Sequence, residues 1–594
     1  MVGFLKWARS ILVGTLNGLL KFALAIVLIV VVIFLVGLAF GDGMPGKIVL
    51  TADLRGSLED SNIQSPFGLY GRPLTVMDVV LTLDRAGRDS RVKGLYIRTG
   101  DGGISIAEAE ELDAAIKRFR AAGKFVISDA QEFGSTGLGD YLLASSANEV
   151  WMQPKSVFGA AGAGAGEIFL RGMFDKLDAE PQIAKRAEYK SAADMFMEKD
   201  YTQPDREQTT AFLQSWYDSA TAGIGANRKL SASAVTEALN ASPQFASDVR
   251  AKGLIDKIGF DDEAADQALA RAGNGARFEQ LATYARATDA ASNYGTGTHI
   301  ALVEGSGEIV DGSADGGVFG GKTVIAGDDY ARAIREATRD KSIKAILLRV
   351  DSPGGSVTAS AQILDAIQKA QAAGKPVVVS MGTLAASGGY YISCSADRIV
   401  AEPATLTGSI GVLTGKVSIG KSLKLAGVTA DEIGVGKNAL FDSAITPYTD
   451  QQWQELNAEA DVIYNDFMAK VAKGRHVPLT SVQNIAKGRV WTGADAAKNG
   501  LVDELGGFWT AVDALKKLAR IPAGERVILR QYPRPKSFFD VLNETFDDSA
   551  ASMRVVQGLS AIANTPAIRS VIEAASAAPE HGISLRATGL PAGQ

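Results

Sequence analysis

The sequence predicts an α/β protein, two tandem repeats behind one membrane-spanning helix, and three observations carry that expectation. A run of nineteen residues without a charge lies near the N-terminus. The rest of the chain matches itself, in order, at three places, which is the mark of an internal duplication. Within each match an apolar strand-like run is followed by a Gly-bearing turn and a helical stretch, the alternation expected of parallel strands joined by right-handed crossovers. At 594 residues the chain is also too long for a single core.

The first element is the run at 22–40, FALAIVLIVVVIFLVGLAF. At about 1.5 Å rise per residue it spans roughly 28 Å, enough to cross a bilayer core. Lys6, Arg9 and Lys21 precede it and no acidic residue appears before Asp42. The positive-inside rule therefore places the N-terminus in the cytoplasm and the body outside, periplasmic or extracytoplasmic. We assign 18–40 as a transmembrane signal-anchor. Gly37-Leu38-Ala39 offers a cleavage site for the alternative, a removed signal peptide, but the apolar stretch exceeds the usual ~7–15 residues.

The two repeats follow at 47–271 and 299–520. Residues 90–98, SRVKGLYIR, match 341–349, KSIKAILLR. Ala121-Ala122-Gly123-Lys124 returns as Ala372-Ala373-Gly374-Lys375, and Lys252-Gly253-Leu254-Ile255-Asp256 as Asn499-Gly500-Leu501-Val502-Asp503. In the second repeat, 345–350 reads as a buried strand, 359–372 as a helix and 377–381 as the next strand. The Ala-, Gly- and Thr-rich stretch 272–298 reads as a connection. Residues 521–594 read as a peripheral tail with a candidate amphipathic helix at 538–546.

Composition narrows the chemistry. The hydrophobic fraction of 46%, the charged fraction of 22% and the net charge of −6 are ordinary, and no basic tract points to nucleic acid. Cys394 is the only cysteine, which excludes an intrachain disulfide and Cys-rich metal sites. His299, His476 and His581 are scattered, which speaks against a Ser/His/Asp triad and against His-based metal sites. No metal or organic cofactor is implied.

The candidate nucleophile lies after the strand at 377–381, in Gly382-Thr383-Leu384-Ala385-Ala386-Ser387-Gly388-Gly389-Tyr390-Tyr391. Ser387 falls near the start of a helix, where small neighbours leave its hydroxyl accessible and free N–H groups favour developing negative charge. Upstream, Asp351-Ser352-Pro353-Gly354-Gly355-Ser356 ends the preceding strand. An N–H from Gly354 or Gly355, with that of Gly388, would form an oxyanion hole. The blander account of both glycine clusters is tight turns and close helix–strand packing.

Setting Ala147-Asn148-Glu149-Val150 on Ala396-Asp397-Arg398-Ile399 brings Leu138 to the position of Ser387, so the first repeat has no nucleophile there. With no histidine at hand, a lysine amine is the obvious base, if burial lowers its pKa from about 10.4. A drop of ~3 units corresponds to about 4 kcal/mol, within reach of desolvation.

Ser352-Pro353-Gly354-Gly355-Ser356 and Ala385-Ala386-Ser387-Gly388-Gly389-Tyr390 resemble the motifs of the signal peptide peptidase A (protease IV) family, and the resemblance covers about residues 47–520. It implies two Clp-protease/crotonase-like domains and a membrane-anchored serine endopeptidase with a Ser/Lys dyad. Tyr189-Lys190-Ser191-Ala192 is similar to the family's lysine motif, which makes Lys190 the base, although Asp194-Met195 stands where a Glu-Pro pair is usual. Setting Asp194 on Asp442 puts Lys190 opposite Asn438, and a one-residue slip makes Lys437 the rival. Ser409, in Leu406-Thr407-Gly408-Ser409-Ile410-Gly411, matches a serine expected to orient the lysine; its alternative is a turn serine bonded to local backbone. The resemblance further implies cleaved signal peptides and other apolar peptides as substrates, an inner-membrane location and a homo-oligomer, a tetramer. Two other functions fit parts of the pattern, a crotonase-like acyl-CoA enzyme and a non-catalytic membrane scaffold.

Overall fold

The computed structural model describes residues 44–61, 73–100, 102–292, 297–314 and 323–533. The expected anchor at 18–40 and the candidate helix at 538–546 lie outside the described residues. Among the described residues no helix is long and apolar enough to cross a membrane.

Each repeat is organised around a parallel sheet. In the first, the spatial order is Lys257–Ile258, Glu149–Met152, Phe125–Ala130, Val92–Thr99, Ile48–Asp53, Arg277–Gln280, every neighbouring pair parallel. In the second, Val377–Ala386, Ile343–Ser352, Thr298–Ser306 and Val527–Tyr532 lie side by side and parallel. Val377–Ala386 takes Arg398–Ala401 as partner along its first half and Leu406–Gly408 along its second. The strands are apolar and covered on both faces, as parallel sheets must be when helices pack on each side: only Lys344 of Ile343–Ser352 is exposed.

Three stretches differ from the sequence expectation. Arg277–Gln280, inside the expected connection, adds to the edge of the first sheet, and helix Leu281–Ser292 follows it. Val527–Tyr532, inside the expected tail, adds to the equivalent edge of the second. Both edge strands saturate the open N–H and C=O groups of a strand inside the repeat. Val377–Ala386 also runs five residues beyond the expected strand, through the small-residue stretch before Ser387, with a register shift at Val350/Ser352.

The duplication is repeated in the polar bonds. The Asp256 carboxylate accepts the Val150 N–H and pairs with Arg228; Asp503 accepts the Ile399 N–H and pairs with Arg475. Tyr141 Oη donates to the Leu254 carbonyl at 2.6 Å and Tyr390 Oη to that of Leu501 at 2.9 Å. Ser105 and Ser356 cap equivalent sixteen-residue helices, Ile106–Ala121 and Val357–Ala372.

The repeats are also interlocked. Strand Glu180–Arg186 leaves the first repeat and pairs antiparallel with Val412–Ser418 of the second. From helix Gln203–Arg228, Trp216 Nε1 donates to the Ala404 carbonyl at 2.7 Å. Between the sheets, Arg349 is fully buried and bonds Asp60 at 2.6 Å and Glu111 at 2.8 Å, both carboxylates from the first repeat. Arg349→Met strands two buried carboxylates, a loss that typically costs about 3–5 kcal/mol. Urea unfolding of the full chain is expected to register a destabilisation of that order, and a change below about 1 kcal/mol would contradict it.

Candidate active site

Ser387 sits where Val377–Ala386 ends and the short helix Gly388–Ser393 begins. Its backbone, at φ 52° and ψ −116°, is in a region that non-glycine residues rarely occupy. Two bonds hold it there: Ser387 N–H donates to the Gly408 carbonyl at 2.9 Å, and its carbonyl accepts from Tyr391 N–H at 2.8 Å.

The strand-end loop closes over this turn from the neighbouring strand. Gly354 and Gly355 take φ of 106° and 147°, open to glycine and strained for other residues. A Cβ on Gly354 would stand 2.6 Å from the Gly388 nitrogen and 2.8 Å from Ser387 Cβ. A Cβ on Gly388 would stand 3.1 Å from the Gly355 nitrogen. The Gly354 N–H is already donated to Ser352 Oγ at 3.1 Å. Among the described residues, the Gly355 and Gly388 N–H groups have no such acceptor.

The lysine arrives from the other repeat. After strand Glu180–Arg186 the chain turns, with Tyr189 N–H on the Lys487 carbonyl at 3.0 Å and Gln208 Nε2 on the Tyr189 carbonyl at 3.0 Å. Lys190 then enters the second repeat, and its Nζ lies 3.0 Å from Ser387 Oγ, from Ser409 Oγ and from the Ser409 carbonyl oxygen. The amine is buried, and burial lowers its pKa from 10.5 to about 8. Asp194, at the departure from the family pattern, is fully buried and receives Lys185 Nζ at 2.5 Å and Thr202 Oγ1 at 3.3 Å, which ties down the turn that follows the lysine.

Of the residues singled out by sequence, Ser387, Lys190, Ser409, Gly355 and Gly388 converge. Gly354 is in contact, with its N–H turned to Ser352. Lys437 does not join them; it is exposed and lies 3.4 Å from Glu455, and Asn438 bonds the same carboxylate. Two residues of the loop had no assigned part. Ser352 Oγ takes up the Gly354 N–H. Asp351 accepts from Leu384 N–H at 2.9 Å and Thr383 Oγ1 at 2.8 Å, bracing the bend before Ser387, and burial pushes its carboxyl up to about 6. Both stand beside the glycine pair in the sequence, which was the available signal.

The first repeat lacks the equivalent groups. Leu138 is buried at the start of helix Leu138–Ser145, and the helix caps Ser105 and Ser356 put Ile104 in the place of Gly355. Ala160, buried, stands at the counterpart of Ser409.

The model of Peptidase family S49 matches residues 118–274 and 369–522, and that of Clp protease matches 332–405. Protease 4 of Salmonella typhi is 31% identical over 588 residues, covering 93% of this chain and 91% of the relative. Protease 4 of Haemophilus influenzae is 32% identical over 467 residues, 75% of this chain and 73% of the relative. The chloroplastic serine protease SPPA of Arabidopsis thaliana is 30% identical over 522 residues, 86% and 75% of the two chains.

Proposed function

The chain belongs to peptidase family S49, with two Clp-protease-like repeats, and is a serine protease; from that premise we propose that Ser387 is its nucleophile and Lys190, supplied by the first repeat, its general base. The observation that carries this is the buried amine 3.0 Å from the Ser387 hydroxyl. A neutral amine has two protons and one lone pair. Donating the protons to the Ser409 carbonyl and Oγ aims the lone pair at the Ser387 O–H, which gives Ser409 its orienting role.

Lys190 takes the Ser387 proton as Oγ attacks the peptide carbonyl, and the oxyanion is received by the Gly355 and Gly388 N–H groups. As the tetrahedral intermediate collapses, the lysine returns the proton to the leaving amine. A water, deprotonated by the same amine, then hydrolyses the acyl ester. Cleaved signal peptides and other apolar peptides are the proposed substrates, in keeping with the family motifs and with a relative from Enterococcus faecium named "Putative signal peptide peptidase SppA". The uncharged run 22–40 behind Lys6, Arg9 and Lys21 supports a single-pass inner-membrane anchor with the body in the periplasm. A homo-oligomer, a tetramer, completes the reading.

A nitrophenyl ester of an apolar acyl group tests the chemistry. Intact-mass measurement of the full chain is expected to show one acyl group per chain, on the fragment that holds Ser387. Only the neutral amine can accept the proton, so the acylation rate should climb as pH rises through about 8 and level off above it. Acylation at another residue, or a rate flat from pH 6 to 9, would overturn the assignment.

A further inference from the structure

We propose that Gln208, on helix Gln203–Arg228 of the first repeat, is the positioning residue that holds Lys190 at Ser387, by tying the turn of the lysine to the segment of the second repeat that carries Ser409. This rests on the proposed roles of Ser387 and Lys190 and names the device that brings them together.

Segment 487–492 of the second repeat lies between the lysine turn and the serines. The Lys487 carbonyl accepts Tyr189 N–H at 3.0 Å, Gly488 N–H donates to the Ile410 carbonyl at 2.9 Å, and the Arg489 carbonyl accepts Ser409 N–H at 2.8 Å. Val490–Thr492 then pairs antiparallel with Leu406–Gly408, whose last carbonyl, that of Gly408, holds the Ser387 N–H. A Cβ on Gly488 would stand 2.6 Å from Lys190 Cβ, so segment and turn are packed directly on each other. The relative position of the amine and both serines is therefore set by how the lysine turn is fastened to this segment.

The carboxamide of Gln208 is inserted at that junction and is 3% exposed. Its Nε2 lies 3.0 Å from the Tyr189 carbonyl, 2.9 Å from Ser191 Oγ and 3.0 Å from Asp205 Oδ1, and its Oε1 accepts Val490 N–H at 3.2 Å. A carbonyl and a carboxylate only accept, and a backbone N–H only donates, so the amide fits one way round. One side chain thus bonds the residues on both sides of Lys190 and the strand beside Ser409. The rest of the helix supports it from the same direction: Glu207 pairs with Arg489 at 2.7 Å, and Ser215 Oγ lies 2.8 Å from Thr492 Oγ1.

The duplication shows why this residue is a glutamine. Thr202 and Thr449 cap equivalent helices, Gln203–Arg228 and Asp450–Gly474, and Gln208 and Glu455 hold the same place relative to those caps. Glu455 meets the turn that aligns with the lysine turn: its carboxylate accepts Asn438 Nδ2 at 3.1 Å and lies 3.4 Å from Lys437 Nζ. The position braces the same turn in both repeats. In the second it carries a carboxylate, which favours an ammonium beside it; in the first it carries a neutral amide, which fixes the turn without favouring the charged form of Lys190.

Acylation of the full chain by the apolar nitrophenyl ester, followed against pH, tests this. With the turn released from Gln208, water reaches the amine and its pKa climbs from about 8 toward the ordinary 10.5. Gln208→Met is expected to move the midpoint of the rate against pH up by about one pH unit and to lower the plateau rate about 10–100-fold, the cost of misplacing a reacting group by ~1 Å. Gln208→Asn keeps the amide but is too short to span Tyr189 and Val490; it should do the same to a smaller degree, and it carries the test should Gln208→Met fail to fold. A residue that only stabilised the fold would lower the active fraction and leave the midpoint in place. Folded variants with the wild-type midpoint would therefore overturn the role of Gln208 and leave Lys190 as the base, whereas a wild-type rate without pH dependence would overturn both.

Discussion

Lys190→Met in the full chain is expected to lower kcat/KM on an apolar peptide about 10³-fold or more, in the upper part of the range for loss of a general base. The same substitution should change how stability depends on pH. The folded state holds the amine at about 8 against an ordinary 10.5, because burial penalises the ammonium. Below pH 8 both folded and unfolded wild type carry the proton, and the full desolvation penalty falls on the folded state. Between 8 and 10.5 the unfolded chain holds the proton and the folded one does not, so wild-type stability rises with pH. Above 10.5 the penalty is gone. The stability of Lys190→Met relative to wild type should therefore fall by about 3 kcal/mol between pH 7 and pH 11, since ~2.5 units at 1.36 kcal/mol each is the whole difference. Ser387→Ala should share the activity loss and keep the wild-type pH dependence, which separates the two roles. A Lys190→Met enzyme within tenfold of wild type would remove the lysine from the mechanism.

This split between the two residues also explains what the sequence could disclose. Ser387 is announced locally: a strand, a run of small residues, then Gly-Gly at a helix start. Lys190 has no local mark, because its properties come from a strand that crosses between repeats and delivers it to a serine 197 positions away. Only the family motif around Lys190 pointed there, and the residues aligned against it in the second repeat, Lys437 and Asn438, face Glu455 instead. The same lesson holds for Arg349. It aligns with Arg98, yet Arg98 is partly exposed beside Asp261, while Arg349 faces the other repeat and is buried between Asp60 and Glu111. The duplication fixes the register of both arginines, and the docking of one repeat on the other decides which is buried. Arg277–Gln280 and Val527–Tyr532 were hidden for a different reason. Neither is a continuous apolar run, and an edge strand is recognised chiefly by the strand it pairs with.

Gly354→Ala is expected to reduce kcat about 10²–10³-fold, the loss seen when one oxyanion donor is removed, although the Gly354 N–H itself points to Ser352. The reason is steric. The new Cβ would stand 2.6 Å from the Gly388 nitrogen and 2.8 Å from Ser387 Cβ, so it crowds the proposed donor and the proposed nucleophile together. The backbone at φ 106° adds strain of order 1–3 kcal/mol for any residue with a side chain. Relief requires the loop to back away from the turn, which carries the Gly355 N–H away from Gly388 and opens the proposed oxyanion hole. Ser352→Ala acts on the same loop from the other side: it leaves the buried Gly354 N–H without an acceptor and should cost about 1–3 kcal/mol of stability while retaining far more activity than Gly354→Ala. Rates of ester acylation measured alongside thermal unfolding separate the two effects. If Gly354→Ala acylates at the wild-type rate, the Gly355 and Gly388 amides are not the oxyanion donors.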